Sequence, residues 1–377
     1  MKKILVALCA VALIGLTGCK KDNVAPEEQT TANSGNTGGG SGGGTPATPL
    51  AKIARIDTNN VLYETWNWQD EQLVSINNGA GVEKTSFTYD NSGRVETMTV
   101  GGSDMLSGTM HVGYNSNGVS ELSLVRNGVS IIVANLSYSA GKLSRADLDI
   151  DTVSLMTLFR AALPQILDSY YPGLGQMVSA NMDGASTIDS IKAYMTFDWR
   201  STNNVKFIKI EISARVNTTL GQIATLLNGN FSMFGQYASI VEAMATSNPE
   251  QEVHLNAVMT DKGNYEYDSH TNPFLHYLGH LVDIKDYLPS FNVATVSTNN
   301  TNTENHEGTA KVSVSTTIIE DIPFLGPMEV PVTIPVVNQE MYNTTTTYTY
   351  TYREGDGYPL TVTDNDGNTK TYTYQAK

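Results

Sequence analysis

The pair of side chains best spaced for metal chemistry in this sequence is His276-Tyr-Leu-Gly-His280. Imidazoles four residues apart share one face of a helix, the arrangement that holds zinc in metalloproteases. No Glu stands beside the first His to act as base, although His270 and Asp283 are near in sequence, and Gly279 weakens a helix there. His276 and His280 are thus the candidate metal ligands, but the stretch reads as a structural or surface pair. Neither a metal nor a cofactor is expected.

Acidic candidates follow. Asp147-Leu-Asp-Ile-Asp151 puts three carboxylates on one side of a strand, which could begin a calcium site; the plainer expectation is three unpaired carboxylates facing water. Asp364-Asn-Asp-Gly-Asn368 has calcium-loop composition, but its glycine falls too early for an EF-hand, and a hairpin turn accounts for it. Nucleophilic catalysis has little to work with. A Gly-x-Ser-x-Gly match at Ser41 sits in a glycine run with no strand before it or helix after it. Ser139-Ala-Gly-Lys142 lies in a turn where glycine serves geometry. The expectation is that the protein is not an enzyme.

Both cysteines are in the first nineteen residues. Lys2 and Lys3 precede an apolar run from Ile4 to Leu16, too short for a spanning helix, which needs roughly 20 residues, and suited to a signal peptide. The run closes with Leu16-Thr17-Gly18-Cys19, a bacterial lipobox: a branched apolar residue, two small ones, then Cys. Residues 1–18 are expected to be removed and Cys19 to carry the acyl chains, several of which together hold a protein on a bilayer. Cys9 leaves with the leader, so no thiol remains for a disulfide, a redox couple or a metal. The N-terminal lipid anchor makes the membrane the one expected partner surface.

Residues 19–50 are small and polar, with Gly38-Gly-Gly-Ser-Gly-Gly-Gly44 at the centre and Pro46 and Pro49 near the end. That composition cannot offset ordering entropy, so the stretch reads as a flexible tether with a reach of roughly 30 Å. The formal charge of −15 argues against nucleic acid, because an acidic surface repels phosphate backbones.

The elements that must position any site lie in 51–377. There Phe87-Thr-Tyr89-Asp-Asn-Ser-Gly93-Arg-Val95-Glu-Thr-Met98 is rewritten again and again: an aromatic ends one alternating run, a polar turn with Gly follows, and a second run begins. Trp68, Tyr89, Tyr114 and Tyr138 are the anchors of successive copies, spaced by 21, 25 and 24 residues. A fixed period of that size means one supersecondary unit, here a hairpin, is stacked on itself. The fold expected is mainly β with inserted helices: a large, curved antiparallel meander, partly or fully closed and capped by helices. The helix-containing segment runs from about 151 to 250. Leu155, Phe159, Leu163, Ile166 and Tyr170 have helical spacing, as do 220–227 before Gly229 and 233–244 before Pro249. A Thr260-Asp-Lys-Gly263 turn is expected between two later strands. Pro323, Pro327, Pro331 and Pro335 exclude a central strand over Ile318–Val337 and point to an edge or extended flap.

The hairpins resemble YD-type repeats. Tyr265-Glu-Tyr267-Asp268…Asn272-Pro273-Phe274 resembles the "YxYD…NPF" element of Bacteroidetes outer-membrane lipoproteins of unknown function, as does Tyr352…Asp356-Gly357-Tyr358-Pro359 near the end. The resemblance implies a porin-like β-fold and residence in the outer membrane, lipid-anchored and facing outward, with Lys20-Lys21-Asp22 beside the anchor as an export-like signal. It transfers no catalytic residue. A membrane-spanning barrel is not the expectation, since inserted helices and a lipid anchor would be redundant in one, and such barrels commonly finish on an aromatic residue rather than on Tyr374-Gln-Ala-Lys377. The function expected is a non-catalytic binding or structural role in the envelope. The alternatives are a carrier of an apolar ligand held between sheet and helices, and a metal-dependent hydrolase; a glycan, a protein or a lipid could be the ligand.

Overall fold

Alternating apolar and polar residues separated by tight turns give strands that pair with their sequence neighbours. In the computed structural model the described residues are 52–100, 108–116, 118–151, 187–227, 238–275, 282–285, 288–291, 293–322 and 326–375. The leader, Cys19, the tether, Ser41, the helix expected over 155–170, and His276 and His280 lie outside them. The first half contains β1 (Ile53–Thr58), β2 (Val61–Gln69), β3 (Gln72–Asn78), β4 (Glu83–Tyr89), β5 (Val95–Val100), β6 (Gly108–Asn115), β7 (Gly118–Arg126), β8 (Val129–Ser139) and β9 (Lys142–Ile150). The second half contains β10 (Thr187–Trp199), β11 (Val205–Thr219), α1 (Leu220–Leu227), α2 (Ala238–Ser247), β12 (Glu252–Thr271), β13 (Val282–Lys285), β14 (Leu288–Phe291), β15 (Asn299–Ile322), β16 (Gly326–Tyr352), β17 (Pro359–Asp364) and β18 (Thr369–Tyr374).

All except β13 and β14, which form their own hairpin, join one closed antiparallel barrel of sixteen strands. β18 closes it on β1, with Tyr372 opposite Ile56 and Thr371 opposite Asp57. The turns follow from residue type. Asn127-Gly128 and Ala140-Gly141 have φ of 51° and 78°, and of 50° and 74°, the left-handed pairs whose twist matches a two-residue hairpin. Asp364 Oδ1 accepts the N–H groups of Asp366 and Asn368, and Asp90 Oδ1 accepts those of Ser92 and Arg94, so these carboxylates build turns.

The alternation sorts chemistry to the two faces. Inside, Ile56, Trp66, Leu73, Phe87, Met98, Leu122, Leu143, Met195, Tyr348 and Tyr372 belong to one continuous buried cluster. Outside, hydroxyls and amides face one another across the strands: Ser86 with Thr99, Thr88 with Thr97, Ser123 with Ser130, Asn67 with Ser75 and Thr351 with Thr361. Asp147 is not the unpaired carboxylate expected. Arg145 grips it with two nitrogens, and Asp149 accepts from Asn135.

Strand length divides the barrel. β1–β9, β17 and β18 are short, whereas β11, β12, β15 and β16 run on past the rim as an overhanging sheet. β16 pairs with β15 along nearly its whole length but with β17 only over Tyr348–Tyr352. Its first part is therefore an edge, as the prolines require. Pro327, Pro331 and Pro335 face Asp321, Thr317 and Ser313, always an even number of residues apart, so their missing N–H groups all share one phase of the ladder. The helices α1 and α2 lie on the overhang's inner face, where Leu220, Ile223, Val241 and Ala245 pack with Val253, Val314 and Ile334.

One expected turn is absent. β12 passes straight through Thr260-Asp-Lys-Gly263, paired on both sides. Gly263 is there for packing: a Cβ would lie 2.5 Å from the Tyr265 hydroxyl, and at Gly308 one would lie 2.3 Å from the ring of Tyr342, its cross-strand partner. Rings folded over glycine account for both positions.

Candidate functional site

In an antiparallel barrel every second strand ends at the same rim, and β2, β4, β6, β8, β10 and β18, which end there, each carry an aromatic at or near the last residue. The ring lies along the inner face and its polar tip reaches the backbone of a neighbouring hairpin. Trp68 Nε1 donates to the Ile53 carbonyl (2.7 Å), Tyr89 to Leu73 (2.7 Å), Tyr114 to Val95 (2.9 Å), Tyr138 to Val119 (2.7 Å), Trp199 Nε1 to Leu143 (2.6 Å) and Tyr374 to Pro359 (2.7 Å). In each case the acceptor is the first or second residue of a strand starting at that rim. The repeat in the sequence is thus a repeated clamp, forming an aromatic collar. Burial pushes the hydroxyls of Tyr89 and Tyr114 up to about 12 and raises that of Tyr138, because a tyrosinate there would lose its water. Cations cover the rings: Lys52 over Trp68 (5.9 Å), Arg94 over Tyr114 (4.4 Å), Lys142 over Trp199 (5.5 Å) and Arg353 over Tyr374 (4.5 Å).

The YxYD…NPF stretch closes the collar end. Asp268 Oδ1 accepts the N–H groups of His270 (2.9 Å) and Asn300 (3.2 Å), and its other oxygen accepts the Tyr352 hydroxyl, so one carboxylate joins β12, β15 and β16. Desolvation raises the Asp268 pKa against these hydrogen bonds, which favour its charged form. Asn272 is buried; it donates to the carbonyls of Ala294 and Ser297 (3.0 Å to the latter) and accepts the N–H of Phe274 (2.9 Å). That bond aims Phe274 into the barrel, edge-on to Trp66 (6.1 Å) and Tyr372 (5.8 Å). The motif is a plug and a staple.

Halfway along the long strands the inner wall turns polar. Asp261 on β12 and Glu304 and His306 on β15 share that face, with Tyr342 and Tyr348 from β16. His306 Nδ1 is 3.0 Å from Asp261 Oδ2, and its Nε2 is 3.9 Å from Glu304 Oε2. Tyr342 donates to Asp261 Oδ1 (3.1 Å), Tyr265 meets the imidazole edge-on at 5.7 Å, and burial together with the nearby Glu304 carboxylate holds the Tyr348 hydroxyl well above its ordinary pKa. An Asp–His pair activates a nucleophile through the far ring nitrogen. Here that nitrogen faces a second carboxylate at 3.9 Å, beyond hydrogen-bond distance. Among the described residues no three His, Cys, Asp or Glu side chains are grouped to hold a metal ion.

The sequence reading missed Asp261, Glu304 and His306. Asp261 was hidden in the supposed turn, while Glu304 and His306, two apart on a strand, carried a usable signal: that spacing places them on one face. The collar aromatics at 68, 89, 114 and 138 are where the repeat predicts them and share one environment.

No family model matches this chain, and no curated protein does. Among solved structures it is similar to a porin-like protein from Bacteroides vulgatus ATCC 8482, at 8% identity over 87% of this chain and 100% of the other, with a TM-score of 0.36. A porin-like protein from Bacteroides uniformis ATCC 8492 is 9% identical over 86% of this chain and 98% of its own, with a TM-score of 0.15. Likeness at these scores adds nothing to the closed antiparallel barrel read from this chain's own strand pairing.

Proposed function

We propose that this protein is a non-catalytic lipoprotein of the outer membrane, held by acyl chains on Cys19 and standing off on the 19–50 tether, with a binding or structural role. The observation that carries this is the sorting of its faces. A barrel that spans a bilayer shows lipid an apolar outer band and keeps polar groups inside. This one is reversed, with Ser, Thr and Asn pairs outside and Trp66, Phe87, Met98 and Leu122 within. Its wall belongs in water, which leaves membrane attachment to the anchor. Mass spectrometry of the N-terminal peptide of protein from its own envelope tests this: acylated Cys19 is the expected result, and an unmodified or absent Cys19 would contradict it.

A second reading, a carrier of an apolar ligand, is favoured by one specific arrangement. The buried cluster under α1 and α2 is separate from that of the barrel, and the inner wall between them carries Ala257, Ala310 and Val312 beside the Asp261–His306 network. A ligand seated there would meet apolar surface with polar groups at one side. Native mass spectrometry decides: a retained lipid-sized mass supports the carrier, and bare protein supports the structural role. Glycan binding has less behind it, because Trp66, Trp68 and Trp199 all pack into the barrel core. The hydrolase reading rested on His276 and His280 and gains no support from the described residues.

A further inference from the structure

We infer that the collar rim is the face this protein turns to its membrane, so that the partner of the rim is a lipid leaflet and the overhang with its helices points away. This rests on the lipid anchor proposed above. The chain enters the barrel at the collar: the Lys52 carbonyl accepts the N–H of Gln375, and Lys52 Nζ pairs with Glu71 in the adjacent hairpin turn (2.8 Å). Lys52, the first described residue, therefore sits at that lip, two residues after the proposed tether. Its typical reach is roughly 30 Å. The opposite tip lies much farther off. β12 is 20 residues long, about 65 Å along the strand and about 50 Å in height once tilted as barrel strands are. Bringing the overhang to the leaflet would hold the tether at well over its typical span, a loss of chain entropy that the collar-down arrangement avoids.

The rim's chemistry fits a headgroup layer. The chain as a whole carries −15, which a leaflet with anionic lipids repels. At the rim, charges come in matched pairs: Arg94 with Asp90 (2.8 Å), Arg353 with Asp356, and Lys52 with Glu71. The cations lie over rings whose hydroxyl and N–H tips are already pinned, so much of the rim's charge is neutralised within the rim, with Asp70 and Glu354 exposed beside these pairs. A tether of this length holds the rim at an effective concentration in the millimolar range, where weak contacts are populated.

The test uses the full lipidated protein in vesicles of phosphatidylethanolamine and phosphatidylglycerol with a headgroup-borne quencher. Acylation occupies the thiol of Cys19, so Ser92→Cys and Ala80→Cys each provide one site for a fluorophore. They sit in exposed turns at the two ends of β4, Ser92 at the collar and Ala80 opposite. Flotation comes first: protein that fails to float overturns the anchor itself. For protein that floats, quenching several-fold stronger at position 92 than at 80 is the expected result. Equal quenching, or stronger quenching at 80, overturns the orientation while leaving the anchor intact.

Discussion

The collar and the overhang are built from the same kind of strand and solve the same problem differently. At the collar, six strands end in a ring whose tip bonds the backbone of the strand before it, and pairing continues around the circle until β18 meets β1. Among the described residues of the overhang no such rings recur. There, among the described residues, β16 pairs on one side only, its prolines deny a further strand any purchase, and α1 and α2 bury the apolar inner face that closure would otherwise have hidden. A closed sheet removes its edges; an open one must cover and blunt them. Where the repeated clamp runs, each ring fastens its hairpin to the one before it; across β12, β15 and β16 the Asp268 carboxylate joins the strands instead.

The largest effect that separates the two regions comes from the collar core. Trp66→Ala removes a ring that is 3% exposed, packs against Trp68 and Phe274, and donates from Nε1 to Glu64 (3.2 Å). The expected loss is about 3–5 kcal/mol, read from the urea midpoint as a single cooperative transition. Next, Ile334→Ala under the helices should cost about 2–4 kcal/mol. Amide exchange should quicken in α1, α2 and the start of β16 and leave the collar protected; equal acceleration in the collar would make the two regions one unit.

Smaller effects resolve the clamps. Tyr114→Phe should cost about 1 kcal/mol, the net worth of one such hydrogen bond, and changes at Tyr89, Tyr114 and Tyr138 should nearly add. Alkaline unfolding checks the same bonds. Tyr89 and Tyr114 have folded pKa values pushed up to about 12 from an ordinary 10. Their contribution is therefore fully present below about 10 and is lost as pH rises through 12. Stability across that interval should fall less steeply in a variant with Phe at 89, 114 and 138. The smallest change in stability, near zero, is expected for Pro331→Val, which restores an edge N–H. Its signature is self-association by light scattering, and a variant that stays monomeric would show that the prolines do not guard the edge.

Much of the collar was legible because its signals are local. A ring closing one alternating run, with Gly or Asn at the turn, marks a clamp within a dozen residues, as at Tyr89 and Tyr138. The proline spacing likewise announced an edge. Closure was not legible, since β1 and β18 stand at opposite ends of the chain and neither stretch names its partner. Gly263 misled because glycine serves two purposes, and only the ring of Tyr265 folded over it shows that packing, not a turn, was meant. The Asp261–His306 pair needed the register of β12 on β15, with His306 opposite Gly263, which no window of the sequence contains.

The barrel wall is polar outside and apolar within. The most direct measurement is the behaviour of residues 20–377, expressed without leader or anchor and purified without detergent. A monomer with a β-type circular dichroism spectrum and one cooperative urea transition is the predicted result. A chain that aggregates in water and gains its β structure only with detergent or bilayer added would contradict it.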